Sequence, residues 1–168
     1  MLPYILIAII VVPFIYFFII RKEQKRRQAI ATAFPVYHPA SAVNVWETKL
    51  AGIRYQCTKD DIGVVVFAVK PEKDNPYDQQ AMAVIRDDGK MLGYIEKSEL
   101  KTYNEWSRGE VCMGIGQINY YEERNKLWGN LIIFGPDVDE TETEGEIRRY
   151  LDWATEHYGA DYIPERYK

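Results

Sequence analysis

The sequence predicts a mainly β protein: a small barrel or sandwich with one packed helix, preceded by a single transmembrane helix and followed by a short C-terminal helix. Three observations predict it. Short strand-like runs recur with turn signals about every eight to twelve residues. Between those runs only Glu96 to Trp106 has helical spacing, and Leu2 to Ile20 carries no charged residue. A chain of 168 residues has room for one compact domain plus appendages.

The N-terminal 1–20 segment is dominated by Ile, Val, Leu and Phe. A helix over Leu2 to Ile20 is about 28 Å long, close to the ~30 Å hydrocarbon core of a bilayer. Pro13 kinks it, which lipid tolerates better than water does, and Tyr4 and Tyr16 fall toward the interfaces. A cleaved signal peptide is the rival reading, with Ala31-Thr32-Ala33 resembling a cleavage site. Against it, the apolar run exceeds a typical signal core, and the cluster Arg21, Lys22, Lys25, Arg26 and Arg27 follows the run instead of preceding it. That cluster orients the helix with everything after Ile20 in the cytoplasm, so the expected location is a single-pass membrane protein with a cytoplasmic C-terminal domain. It also suits anionic lipid headgroups.

Residues 21–42 read as a basic juxtamembrane helix fading into a linker at Phe34-Pro35 and His38-Pro39. The domain follows over 43–135, with strands expected at 43–50, 53–57, 63–70, 81–86, 91–95, 110–121 and 126–134. In the helix over Glu96 to Trp106, Leu100, Tyr103 and Trp106 form the inward stripe and Gly109 ends it. Gly114 and Gly116 inside a strand suggest a bulge or a barrel corner. Glu122 to Asn125 forms a hairpin tip. The 136–146 stretch is acidic and Thr-rich, which reads as an extended linker. In 147–168, Ile147, Tyr150, Leu151 and Trp153/Ala154 give the 147–158 helix one apolar face, which packs back on the domain or docks a protein partner.

The most informative stretch is Pro71 to Ile95. Pro76 sets its own φ and moves Asn75 out of the helical region, while Asn75 and Asp78 close local hydrogen bonds, so Asn75-Pro76-Tyr77-Asp78 is a rigid polar turn. Ala81 to Ile85 and Met91 to Ile95 are strands joined through Asp88-Gly89, a strong hairpin signal. Taken with Leu50-Ala51-Gly52-Ile53-Arg54-Tyr55, the run Val64 to Pro71, Ala81, Val84 and Leu92-Gly93-Tyr94-Ile95, this ordered set resembles the HIRAN domain. HIRAN domains are small modules found alone in bacteria and fused to some DNA-repair helicases. The resemblance spans about Val43 to Phe134 and implies an OB-like barrel with a helix packed on it.

It also implies a ligand, the 3′ end of single-stranded DNA, held between the barrel and the Asn-Pro-Tyr-Asp turn. The matching positions are Arg54, Tyr55, Asn75, Tyr77, Asp78, Tyr94 and Lys97. Their chemistry suits the role independently. Tyr55 and Tyr77 stack on bases, Arg54 and Lys97 neutralise phosphates, and Asp78 accepts from a terminal hydroxyl while repelling an internal phosphate. Each has a plainer role open to it: Asp78 as a turn cap, Tyr77 as a core ring, Arg54 in an ion pair with Glu72 or Asp74. Two departures from the family pattern, Tyr94 in place of a histidine and Gln79-Gln80 after the turn, remove positive charge.

Charge narrows the ligand further. Regions 1–40, 41–135 and 136–168 sum to +4, −2 and −6, so the domain itself is acidic. That argues against generic, high-capacity binding of polyanions but permits a local basic site. Cys57 and Cys112 with His38 and His157 lack the pairwise spacing of a zinc site, and both thiols sit beside apolar runs, as buried free cysteines do. Trp46, Trp106, Trp128 and Trp153 lie one per element, as packing residues do. No phosphate loop, nucleophile elbow or zinc-protease motif occurs. The expectation is a non-catalytic nucleic-acid-binding module without cofactor. A membrane-tethered protein–protein adaptor is the alternative. A metal-dependent enzyme using Asp74, Asp78, Asp87 and Asp88 is the weakest reading.

Overall fold

Alternating side chains in the long runs 63–71, 112–121 and 126–134 point to two faces, and the fold buries much of both. The computed structural model describes residue 21, residues 35–39 and residues 43–168. The expected membrane span at 2–20 and most of the basic segment after it lie outside the described residues. Among the described residues no helix is long and apolar enough to cross a membrane.

The elements are β1 (Val45–Lys49), α1 (Ile53–Gln56), β2 (Gly63–Pro71), β3 (Met82–Arg86), β4 (Met91–Tyr94), α2 (Leu100–Trp106), β5 (Cys112–Tyr121), β6 (Lys126–Phe134) and α3 (Glu140–Tyr158). The six strands form one antiparallel sheet in the order β1-β6-β5-β2-β3-β4. Just past β1, the chain reaches the opposite edge. Ala51 exchanges two backbone hydrogen bonds with Tyr94 of β4, each 2.9 Å, while the Leu50 amide donates to Gly129 of β6 at 3.1 Å. The sheet is therefore curled into a half-barrel, consistent with an OB-like fold.

Inside the curl, Val65, Phe67, Val69, Val84, Leu92 and Ile133 pack with Leu100 and Tyr103 of α2. Burying each such side chain stabilises by about 1.5–3 kcal/mol. Trp46 lies edge-on to Tyr103 at 5.8 Å and leans on Trp106, and Trp153 packs beside Tyr150, so three of the four tryptophans pack as predicted. Cys57 and Cys112 are buried free thiols, also as predicted. Burial pushes the Cys57 thiol up to about 11, which keeps it protonated.

The outer face is covered by α3 and the C-terminal tail. Tyr150 and Ala154 are buried against Val64, Ile115, Ile132 and Phe134. The Tyr167 hydroxyl accepts from the Val66 amide at 3.0 Å, and Tyr158 and Tyr162 stack with ring centres 4.4 Å apart. A polar cluster pins the hairpin of β3 and β4. Asp61, almost wholly buried, accepts from Lys90 at 2.6 Å, Arg86 at 2.9 Å and the Thr58 amide at 2.8 Å. Burial alone would push the Asp61 carboxyl up, but these donors outweigh it and hold it below the usual range.

Four expectations are corrected. The 53–57 segment is one helical turn, not a strand: Gly52 adopts φ +72°, which turns the chain, and Tyr55 and Cys57 then donate to Gly52 and Ile53 carbonyls, both at 2.9 Å. The segment read as an acidic linker is mostly the start of α3. Asp139 caps it by accepting from the Glu142 amide at 2.8 Å, and the first-turn acids Glu140 and Glu142 suit the positive helix end. Glu146 is buried, taking the Tyr37 hydroxyl and the Arg149 guanidinium, both at 2.7 Å. Consequently residues 37–168 form one compact unit with no linker dividing the domain from the C-terminal helix. The helix expected over 96–106 begins only at Leu100. Finally, of the two roles expected for Gly114 and Gly116, a bulge or a barrel corner, the bulge is excluded, because β5 pairs without a register break. A Cβ on Gly114 would lie 2.5 Å from the Phe67 ring, so close packing explains the glycine. The register shift falls instead between Val84 and Ile85.

Gly93 makes the sheet closure testable. Its φ is +153°, and a Cβ there would lie 2.2 Å from the Ala51 carbonyl oxygen. Gly93→Ala is expected to lower stability by about 2–3 kcal/mol, seen as a lower urea midpoint at unchanged slope. Gly89→Ala, with φ +87° but open space around it, serves as the milder control. An unchanged midpoint in Gly93→Ala would show that the closure does not support the sheet.

Candidate nucleic-acid interface

The Asn75 turn is built as its residue types dictate. The Asn75 Oδ1 accepts from the Tyr77 amide at 2.9 Å and the Asp78 amide at 3.0 Å. Its Nδ2 donates to Glu72 Oε2 at 2.6 Å, and since a carboxylate only accepts, the amide orientation is determined. The Tyr94 hydroxyl donates to the same Glu72 oxygen at 2.9 Å and accepts from Asn75 Nδ2 at 3.4 Å. Burial, reinforced by the Glu72 carboxylate, raises the Tyr94 hydroxyl above its ordinary value and keeps it a donor. Asn75 and Tyr94 thus have their polar groups engaged within the protein, where they position the turn.

Tyr77 is displayed by that turn, 94% exposed, so the core-ring alternative fails. Asp78 does cap: its Oδ1 accepts from the Gln80 amide at 3.0 Å. Its Oδ2 lies 3.8 Å from the Lys97 ammonium, itself largely exposed. A pair this open to water contributes little to stability, which leaves both groups available to a ligand.

Arg54 and Tyr55 sit on α1. The Arg54 guanidinium lies 4.4 Å from the centre of the Tyr55 ring and donates to its hydroxyl. Arg54 is not paired with Glu72 or Asp74. Tyr55 is 71% exposed. Both residues line a groove of about 400 Å³ between α1, the end of β1 and the start of β6, whose other walls include Lys49, Glu96, Lys126 and Trp128.

The site therefore has two halves, the Arg54/Tyr55 groove and the turn bearing Tyr77 and Asp78, and no direct contact joins them. Tyr94 stands between. Its backbone pairs with Ala51 beside α1, its ring lies close to Gly52, and its hydroxyl belongs to the turn. Glu96 lines the groove, and its neighbour Lys97 faces Asp78. Lys49, Lys126 and Glu72 were not singled out from the sequence as site residues. Only the pairing of β1 with β6 brings Lys49 to this wall, and that pairing spans some 80 residues of chain. Asp87 and Asp88, which the metal reading would need, face Arg166 at 3.5 Å each, and Asp88 also takes Arg86 at 2.6 Å.

Asn75→Ala removes the acceptor for two amides. The Tyr77 and Asp78 amides are expected to exchange at least tenfold faster, equivalent to about 1.4 kcal/mol, with β3 amides unchanged. Unaltered exchange at Tyr77 and Asp78 would mean that the turn holds its shape without Asn75.

No protein-family model matches the sequence, and no curated protein matches it. Among solved structures, the fold is similar to the HIRAN domain of human HLTF, with 13% sequence identity and a TM-score of 0.36, over 64% of this chain and 88% of that one. It is also similar to a protein from Lactobacillus plantarum, with 20% identity and a TM-score of 0.37, over 55% of this chain and 99% of that one. The first of these belongs to the family that the sequence landmarks resemble. Both likenesses concern the fold, and neither bears on a ligand.

Proposed function

We propose that the chain is a non-catalytic nucleic-acid-binding module, taking single-stranded DNA or a free 3′ end, held at the cytoplasmic face of a membrane by residues 2–20. One observation carries the ligand half of this reading: two tyrosine rings stand out into solvent, Tyr55 at 71% exposure on the Arg54 groove and Tyr77 at 94% on the turn whose Asp78 faces Lys97. Stacking a base on such a ring is worth about 1–3 kcal/mol and tolerates any sequence. Arg54 is placed to neutralise a phosphate once it leaves the Tyr55 face. The Asp78 Oδ2 suits a terminal hydroxyl, with Lys97 beside it for the last phosphate. The motif resemblance supports the same class of ligand. The membrane half rests on the uncharged run from Leu2 to Ile20 and the basic cluster after it.

A second reading, a protein–protein adaptor, has one observation in its favour. A groove of about 710 Å³ runs between α3 and the tail, floored by Ile147, Leu151, Ile163 and Tyr167 and rimmed by Arg148 and Asp152. Because Tyr150 and Ala154 of the same helix are buried in the core, deleting 147–168 would disturb the fold itself. Substituting Leu151 at the groove is the cleaner probe.

Fluorescence polarisation of the full chain in detergent, against short single strands with free or blocked 3′ ends, tests the ligand. Tyr55→Ala and Tyr77→Ala are each expected to weaken binding about tenfold, and Asp78→Ala to erase the preference for a free end. Undetectable binding, or binding indifferent to both the end and these variants, would overturn the reading. For location, the full chain is expected in the membrane fraction, resistant to alkaline washing, and a variant lacking residues 2–20 in the soluble fraction. Recovery of the full chain as soluble protein, or digestion of its C-terminal domain by protease added outside intact cells, would refute the anchor.

A further inference from the structure

We infer that the groove between α1 and the paired ends of β1 and β6 carries the body of the bound strand beyond its terminal nucleotide, with Lys49 and Lys126 each neutralising one backbone phosphate. This rests on the nucleic-acid reading above and adds to it a second, end-independent subsite.

Shape is the first support. At about 400 Å³, the groove falls within the ~300–1,000 Å³ of clefts that hold small organic ligands. Its floor is apolar, with Leu50, Ile53 and Leu127 all less than a tenth exposed, and Tyr55 stands at its edge. That is a place for a base or sugar, walled by groups suited to phosphates.

Charge is the second. On a domain whose total is negative, this groove collects Lys49, Arg54 and Lys126 against the lone carboxylate of Glu96. Elsewhere in the fold, Arg86, Lys90, Lys97, Arg149, Arg166 and Lys168 each face an acidic side chain within 4 Å. Among the described residues, Lys49 and Lys126 have no such partner, a state they share with Lys59, Lys70, Lys73 and Lys101; what sets the two apart is that both line one groove. Two uncompensated ammonium groups on one wall of a groove attract an anion that neither would hold alone.

Spacing is the third. Lys49 stands opposite Asn130 in the β1–β6 ladder, and Lys126 is four residues from Asn130 along β6. Four residues of strand span about 13 Å, so the two lysines leave the sheet far enough apart to serve two phosphates of one strand. Trp128 lies midway between Lys126 and Asn130 and lines the same groove. An extended strand laid along the groove can meet both lysines at successive stretches of its backbone.

The test uses the full chain in detergent with two-, four- and eight-nucleotide oligothymidylates bearing free 3′ ends, titrated at 50–200 mM salt. The parent chain is expected to bind the eight-nucleotide strand about tenfold more tightly than the two-nucleotide one. Lys49→Gln/Lys126→Gln is expected to lose that gain while still binding the two-nucleotide strand, which also shows that the variant is folded. Its slope of log K against log salt on the long strand should be shallower by about 1.4, since each single-strand phosphate contributes roughly 0.7. That difference amounts to about sevenfold between 50 and 200 mM. Equal affinity of the parent for all lengths, or an unchanged slope in the double variant, would overturn the inference and leave the end-binding site standing. Failure of the parent to bind any of the three strands would overturn both.

Discussion

Two hydrogen bonds between Ala51 and Tyr94 organise this fold. β1 and β4 are the outermost strands of the sheet order, and only the chain immediately after β1 reaches across to β4. The contact needs a backbone approach so close that Gly93 has no room for a Cβ. Once made, it curls the sheet around Phe67, Val84 and Leu92 and pairs the Tyr94 end of the β4 edge. It also sets the next turn of chain, α1, against the strand that carries Tyr94. The candidate site is a consequence of closure: Arg54 and Tyr55 arrive on one side of Tyr94, and the Asn75 turn is tied to its hydroxyl on the other.

Electrostatics separate structural charge from charge open to a ligand. Asp61, buried with three donors, staples the loop after α1 to the β3–β4 hairpin, and its depressed carboxyl value reflects those donors. Losing one partner of such a buried cluster is costly, because the remaining charge has no water. Glu146 plays the same part on the opposite face, holding Tyr37 to α3 with Arg149 of the same helix beside it. The cations near the candidate site differ. Lys97 faces Asp78 at a long 3.8 Å in open solvent, and Arg54 rests on a tyrosine face. These can be rearranged by a ligand at small expense, which a binding site requires and a core does not tolerate.

Much of the architecture was legible in local pattern. Strand-like runs bounded by turn signals located β2, β5 and β6, the Asp88-Gly89 pair located the β3–β4 turn, and Asn75-Pro76-Tyr77-Asp78 announced a capped turn that the hydrogen bonds bear out. Errors arose where a local reading met a long-range contact. Ile53 to Cys57 looked like a strand by residue type, yet Gly52 turns the chain so that it can dock on β4. The acidic 137–146 run looked like a linker by composition. Burial of Glu146 against Tyr37, 109 residues away, makes most of it a helix.

The order of amino acids determined by itself what short-range forces decide: turn positions, strand-like runs, and which side chains could stack or carry charge. Tertiary structure alone decided which of those side chains meet. Asn75 and Tyr94 became internal supports because Glu72 bonds to both, and Tyr77 became a displayed ring on the turn that Asn75 caps. Lys49 and Lys126 share a groove because β1 pairs with a strand near the far end of the domain. Strand register across some 80 residues is set by the burial of whole faces at once, and no local window of sequence holds that information.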